Sequence, residues 1–288
     1  MAWTFERVAG PYRFTEGPVW DGEALLFTDI PASRIMRYHP GDGTCVEFRT
    51  GTDAANGLTR DREGRLIACS GGARRVVRYA AGGAVTTLAD RYQGTRLNSP
   101  NDVVADSRGR IWFTDPCYGD RSTMLLEHDS VYRLDPQAGD SWTITRVTFD
   151  TTRPNGLVLS PDERTLYVAE SPPAPAGKRE LRAYPVAADG SLGAYRVLHD
   201  FGPDRGIDGM RVDRDGSIVA ACGWTRGGPG PRIAVFAPDG AVLAAHPVPD
   251  NPTNCAFGDA DLGTLYVTDS AGALSRARTD RRGLARSA

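Results

Sequence analysis

A short polar phrase returns six times along the chain, and this recurrence limits the fold more than any other feature. It opens at Glu16-Gly17, Asn56-Gly57, Asn101-Asp102, Asn155-Gly156, Asp208-Gly209 and Asn254-Cys255. Successive openers stand 40, 45, 54, 53 and 46 residues apart. The fullest version runs from Ser99 to Pro116: a polar pair, the apolar run Val103-Val104-Ala105, the turn Asp106-Ser107-Arg108-Gly109, and a second apolar run, Ile111-Trp112-Phe113. Two short β-type runs around a glycine-bearing turn predict a hairpin. Each repeat adds a further strand-like run, such as Val76-Val77-Arg78-Tyr79 or Ile233-Ala234-Val235-Phe236.

A period in the forties with about four short strands per unit is the signature of a propeller blade. Six openers predict an all-β, six-bladed β-propeller, with residues 1–288 as a single domain. Such an array closes on itself and hides most strand edges. Phe5-Glu6-Arg7-Val8 is expected to complete a terminal blade. Three irregular inserts fall outside the pattern: 117–129, 171–178 and the glycine-rich 223–232. Inserts after strand ends are where a propeller places its pocket rim.

The formal charge of −2 offers no nucleic-acid-binding surface, and no apolar run reaches the length of a membrane span. The mildly basic stretch Arg276 to Arg286 reads as a solvated, frayed tail. The start, MAWTFERVAG, lacks the pattern of a signal peptide. Five cysteines without a C-x-x-C pair argue against thiolate zinc and a disulfide framework. The expectation is a soluble cytoplasmic protein.

In a propeller the innermost strand of each blade lines a central channel. If each opener begins that strand, Glu16, Asn56, Asn101, Asn155, Asp208 and Asn254 meet at one end of the channel. Two carboxylates and four amides are hard oxygen donors that suit Ca²⁺, Mg²⁺ or Mn²⁺; without His or Cys in the set, Zn²⁺ fits less well. Taken singly, Asn-Gly and Asp-Gly are ordinary turn dipeptides. Their return at one point of the repeat carries the functional reading, and Asn56 and Asn254 could line the ring without binding an ion. Four scattered histidines and no G-x-S-x-G leave no basis for a Ser-His-Asp triad. Tyr118 and Trp224 lie in inserts that could roof a pocket. Cys117 reads as an apolar filler, and Asp115 and Asp269 as turn-capping groups.

The phrases Glu16-Gly17-Pro18-Val19-Trp20, Arg96-Leu97-Asn98-Ser99-Pro100-Asn101-Asp102, Pro154-Asn155-Gly156-Leu157, Asp208-Gly209-Met210 and Leu265-Tyr266-Val267-Thr268 resemble the senescence marker protein/gluconolactonase family, which includes regucalcin and bacterial sugar lactonases. The resemblance runs over essentially the whole chain. It implies a six-bladed propeller with one divalent metal ion at the channel mouth, held by Glu16, Asn155 and Asp208. Asn101 is implied as a further ligand or substrate contact, and Arg96 as a substrate contact. The implied ion is Ca²⁺ first, with Mg²⁺, Mn²⁺ or Zn²⁺ as alternatives.

The implied reaction is hydrolysis of a sugar lactone or related ester, with Asp208 as general base and a small lactone as the partner. Two other readings stand beside it. One keeps the metal site for organophosphate hydrolysis or a non-hydrolytic step of specialised metabolism, because a fold does not fix chemistry. The other is a non-enzymatic, calcium-binding propeller, against which stands the carboxylate-amide ring, a feature a scaffold does not need.

Overall fold

The computed structural model describes residues 2–172 and 177–285. Six four-stranded antiparallel sheets follow one another along the chain. Their inner strands are Thr15–Trp20, Ala55–Arg60, Val103–Ala105, Pro154–Leu159, Ile207–Val212 and Pro252–Gly258, in blades 1 to 6. Each inner strand neighbours the next, and that of blade 6 lies beside that of blade 1, so the ring closes. The expected six-bladed propeller is the observed fold.

The second strands are Leu25–Asp29, Leu66–Ser70, Ile111–Asp115, Thr165–Glu170, Ile218–Trp224 and Thr264–Asp269. They read as continuous apolar runs because both of their faces are covered. Leu25 and Phe27 pack toward blade 6 against Tyr266, while Leu26, on the opposite face, packs toward blade 2 against Leu58. In blade 3, Ile111 and Phe113 face blade 2 and Trp112 faces blade 4. The buried apolar residues thus form six clusters, one at each junction between blades. A period of two along the strand therefore serves two cores at once.

The N-terminal strand Glu6–Ala9 closes the ring as the outer strand of blade 6, antiparallel to Leu274–Arg278. Glu6 stands opposite Arg276 and pairs with it at 2.7 Å. Upstream, Trp3 stacks on His246 with ring centres 3.9 Å apart and donates from Nε1 to Asp280.

Two expectations need correction. The stretch 223–232 is not a free loop: Ile218–Trp224 and Gly227–Phe236 extend into it, with Trp224 opposite Gly227 beyond a register shift after Cys222. Composition suggested a loop; Gly228 and Gly230 take positive φ values where the register shifts, between the paired Gly227 and Arg232. The basic C-terminal stretch, as far as the described residues reach, is not a frayed tail either; Arg286 lies outside them. Arg276 and Arg278 belong to a blade strand, and Arg281 pairs with the buried Asp213. Acidic partners from blades 5 and 6 give these cations fixed places. Of the insert 171–178, residues 173–176 lie outside the described residues.

Candidate active site

The polar-glycine phrase is not a turn. It lies within or at the start of the inner strand, and five of the six blades show a register shift there, as between Glu16 and Val19 or Ile207 and Met210. The extra residue of such a bulge re-aims a side chain. The glycine that follows is required by close approach. A Cβ at Gly17 would collide with Asn56 O, at Gly57 with Asn101 O, at Gly156 with Asp208 O, and at Gly209 with the Asn254 side chain. Blade 3 carries Asp102 at this place and blade 6 carries Cys255.

The structure brings the opener side chains together in hydrogen-bonded succession. Asn56 Nδ2 donates to Asn101 Oδ1 at 2.7 Å, and Asn101 Nδ2 donates to Asn155 Oδ1 at 2.8 Å. The Asn155 side chain in turn bonds Asp208. From the other side, Asn254 Nδ2 donates to Glu16 Oε2 at 3.0 Å. Asn56 and Asn254 thus orient the side chains between them. Glu16 and Asn101 are buried, while Asn155 and Asp208 are partly accessible.

Loops entering the ring are fixed by a recurring clamp. A carboxylate ending the second strand accepts main-chain N–H groups three and two residues ahead of the opener. Asp29 holds Arg13 and Phe14 ahead of Glu16; Asp115 holds Asn98 and Ser99 ahead of Asn101; Glu170 holds Thr152 and Arg153 ahead of Asn155. Asp115 therefore does not cap its own turn, whereas Asp269 does, accepting from Ala273 at 2.9 Å.

Sequence reasoning passed over three groups here. Asp102 is 2 % exposed, its Oδ1 accepts from Val103 N at 2.9 Å, and its Oδ2 is buried without a hydrogen bond. Arg205 pairs with Asp208 Oδ2 and donates to Gly223 O and Pro252 O. Arg211 donates to Met210 O and Pro18 O and sits within electrostatic reach of Asp102. Arg205 stands three residues ahead of an opener, a position the repeat could have flagged. Asp102 is, with Cys255, one of two exceptions to the glycine rule and the charged one, a second legible signal.

The electrostatics follow from desolvation. Burial, then Asp208 and Asp102, push the Glu16 carboxyl well above its ordinary value. Burial also raises Asp208, opposed first by Arg205. Three desolvated carboxylates face two guanidiniums, and one carboxylate oxygen is orphaned. A cation with hard-oxygen preference is what this donor set fits. Among the described residues, no three His, Cys, Asp or Glu side chains form a metal-type cluster on their own; the ring instead mixes two carboxylates with amides.

At the mouth, Tyr118 lies under the Arg153 guanidinium, whose carbon is 5.6 Å from the ring centre. Burial, then Asp208, raise the Tyr118 hydroxyl well above its usual value, with Glu16 adding to the effect. The residue as a whole keeps 42 % exposure. Trp224 is exposed on the blade 5 hairpin, and Cys117 is buried. Arg96 lies in a short hairpin, Arg91–Tyr92 with Thr95–Arg96, and donates to Ala73 O at 2.6 Å. It is exposed, and no hydrogen bond joins it to the ring among the described residues.

Residues 14–271 match the SMP-30/Gluconolactonase/LRE-like region. A gluconolactonase of Zymomonas mobilis is 30 % identical over 296 residues, covering 92 % of this chain and 78 % of the relative. A 6-deoxy-6-sulfogluconolactonase of Pseudomonas putida is 31 % identical, covering 91 % of this chain and 85 % of that one. The solved structure of a gluconolactonase from Xanthomonas campestris superposes with a TM-score of 0.83 at 33 % identity, covering 96 % of this chain and 89 % of the other. The match extends through every opener from Glu16 to Asn254, and the chain belongs to the SMP-30/Gluconolactonase/LRE-like family.

Proposed function

We propose that this protein is a lactonase that opens a sugar lactone to its hydroxy acid with the help of one divalent metal ion. The observation that carries the reading is the joining of Glu16, Asp208, Asn101 and Asn155 at one end of the channel, in a chain whose relatives are gluconolactonases. Glu16, Asn101, Asn155 and Asp208 would hold the ion, with Ca²⁺ as the first candidate by donor type. When bound, the ion supplies positive charge that polarises the lactone carbonyl and favours deprotonation of water.

The chain's own groups do the rest. Asp208 takes a proton from water as its oxygen adds to the carbonyl carbon. As the ring C–O bond breaks, the proton passes to the leaving oxygen, giving a hydroxyl and a carboxylic acid. Arg205 holds Asp208 Oδ2 and fixes the carboxylate plane. Burial makes this carboxylate a stronger base than an exposed Asp, and the Arg205 charge keeps it ionised. Asn56 holds Asn101 in place. Arg96 and Asn101 are the assigned substrate contacts, Arg96 from the rim and Asn101 from the ring.

The test is a pH-indicator assay of lactone opening on EDTA-treated protein with Ca²⁺, Mg²⁺, Mn²⁺ or Zn²⁺ returned singly. Restored opening of aldonolactones by one or more ions is the expected result. Full turnover in EDTA would overturn metal dependence, and no opening with any ion would overturn the activity.

A further inference from the structure

Arg153 is a half-buried cation at the channel mouth without a counter-charge. Its Nε is buried and has no hydrogen-bond partner, and it forms no ion pair among the described residues. Other mouth arginines are already engaged. Arg74 donates to Leu97 O and Asn98 O, Arg96 to Ala73 O, Arg121 pairs with Asp129, and Arg205 with Asp208. The unmade Nε bond costs free energy, and the half-buried group leaves its outer edge open to a ligand.

The placement of Arg153 is built. Glu170 clamps its main-chain N–H two residues ahead of Asn155, and its charged group lies on the Tyr118 ring. Tyr118 in turn stands within electrostatic reach of Asp208 and Glu16. The unfilled fork therefore sits beside the carboxylate-amide ring, at its open end. A planar fork with one face against an aromatic ring matches the paired oxygens of a carboxylate.

We propose that Arg153, seated on Tyr118, is a carboxylate-binding subsite for sugar acids at the channel mouth. The inference rests on the lactonase reading, because ring opening turns a neutral ester into a carboxylate. The same chemistry could arise from an acid group that the lactone already bears.

The experiment is calorimetric binding of gluconate, glucarate and uncharged sorbitol to wild type, Arg153→Gln, Arg153→Lys and Tyr118→Leu, with and without EDTA treatment. Wild type is expected to bind the acids more tightly than sorbitol. Arg153→Gln should weaken acid binding by about ten- to hundredfold, the range of a charge-assisted pair, and leave sorbitol unchanged. Arg153→Lys should recover only part, because a point charge replaces a fork. Tyr118→Leu, at an exposed position away from the clamp, should lose acid affinity severalfold. Loss for both acids identifies the carboxylate formed by ring opening; loss for glucarate alone identifies a second acid group. Acid binding unchanged in both Arg153→Gln and Tyr118→Leu, or a wild type that does not separate acids from sorbitol, overturns the subsite. A protein that opens no lactone yet binds acids through Arg153 sinks the lactonase reading and leaves the subsite standing.

Discussion

Asp115, the last residue of a second strand, accepts the main-chain N–H of Asn98 at 2.8 Å, and Asn98 lies three residues ahead of the ring member Asn101. The same spacing recurs in blades 1 and 4. The clamp links blade stability to ring geometry, so a change outside the mouth reaches the mouth through it. Asp115→Ala leaves two buried N–H groups unpaired, those of Asn98 and Ser99. We expect a loss of about 2–4 kcal/mol in denaturant unfolding, together with reduced lactone turnover. Unchanged turnover in the folded variant would separate the clamp from the site.

Asp115 also sets a pH dependence. Burial raises its carboxyl from 3.8 to about 7, against the two N–H bonds that favour the anion. The folded state thus binds this proton more tightly than the unfolded one. Its contribution is full below about pH 4 and is lost as pH rises through about 7, amounting to about 4 kcal/mol. Denaturant unfolding of wild type and Asp115→Asn should show wild type losing stability relative to the variant over that interval. A constant difference would refute the assignment.

Glu16 and Asp208 repel each other in a desolvated ring, so neutralising one separates function from stability. Glu16→Gln should lower turnover by about a hundredfold or more, while the EDTA-treated variant melts at or above the wild-type temperature. Divalent ion should raise the melting temperature of wild type and not of Glu16→Gln. An equal rise in both would remove Glu16 from the ion site.

Close approach of inner strands predicts that Gly57→Ala is damaging. Its new methyl would meet the main chain of Asn101 and the side chain of Asp102. A cost of about 1–3 kcal/mol and a shift of the Asn56–Asn101 bond should follow, read by denaturation and turnover. Gly41→Ala, where a Cβ meets nothing, is the control and should be neutral.

The blades were legible because each second strand carries two interleaved apolar faces, and because the bulge recurs in register with its glycine. Ring membership was legible for the same reason: Glu16, Asn101, Asn155 and Asp208 occupy one place in the repeat. Arg211 and Arg153 were not, since their roles depend on contacts that cross between blades or loops, where no periodicity points; Arg205 was missed although its place three residues ahead of an opener is a repeat position. The hairpin at 223–232 was misread because glycine and proline report local backbone freedom, whereas strand pairing there is set by the sheet already built from Ile218 onward. The C-terminal arginines were misread because their carboxylate partners, Glu6 and Asp213, are distant in sequence.

In synthesis the strand Glu6–Ala9 precedes its partner by some 270 residues and must wait for Leu274–Arg278 before it can pair. Until then, blade 6 has an open edge and blade 1 lacks the neighbour that covers Leu25 and Phe27. Five blades can assemble in order as they emerge, but the circle is sealed only by contacts such as that of Glu6 with Arg276, 270 residues apart in sequence. Such a contact is slow to form, and it is the step at which a nascent chain is most exposed to pairing with another copy of itself.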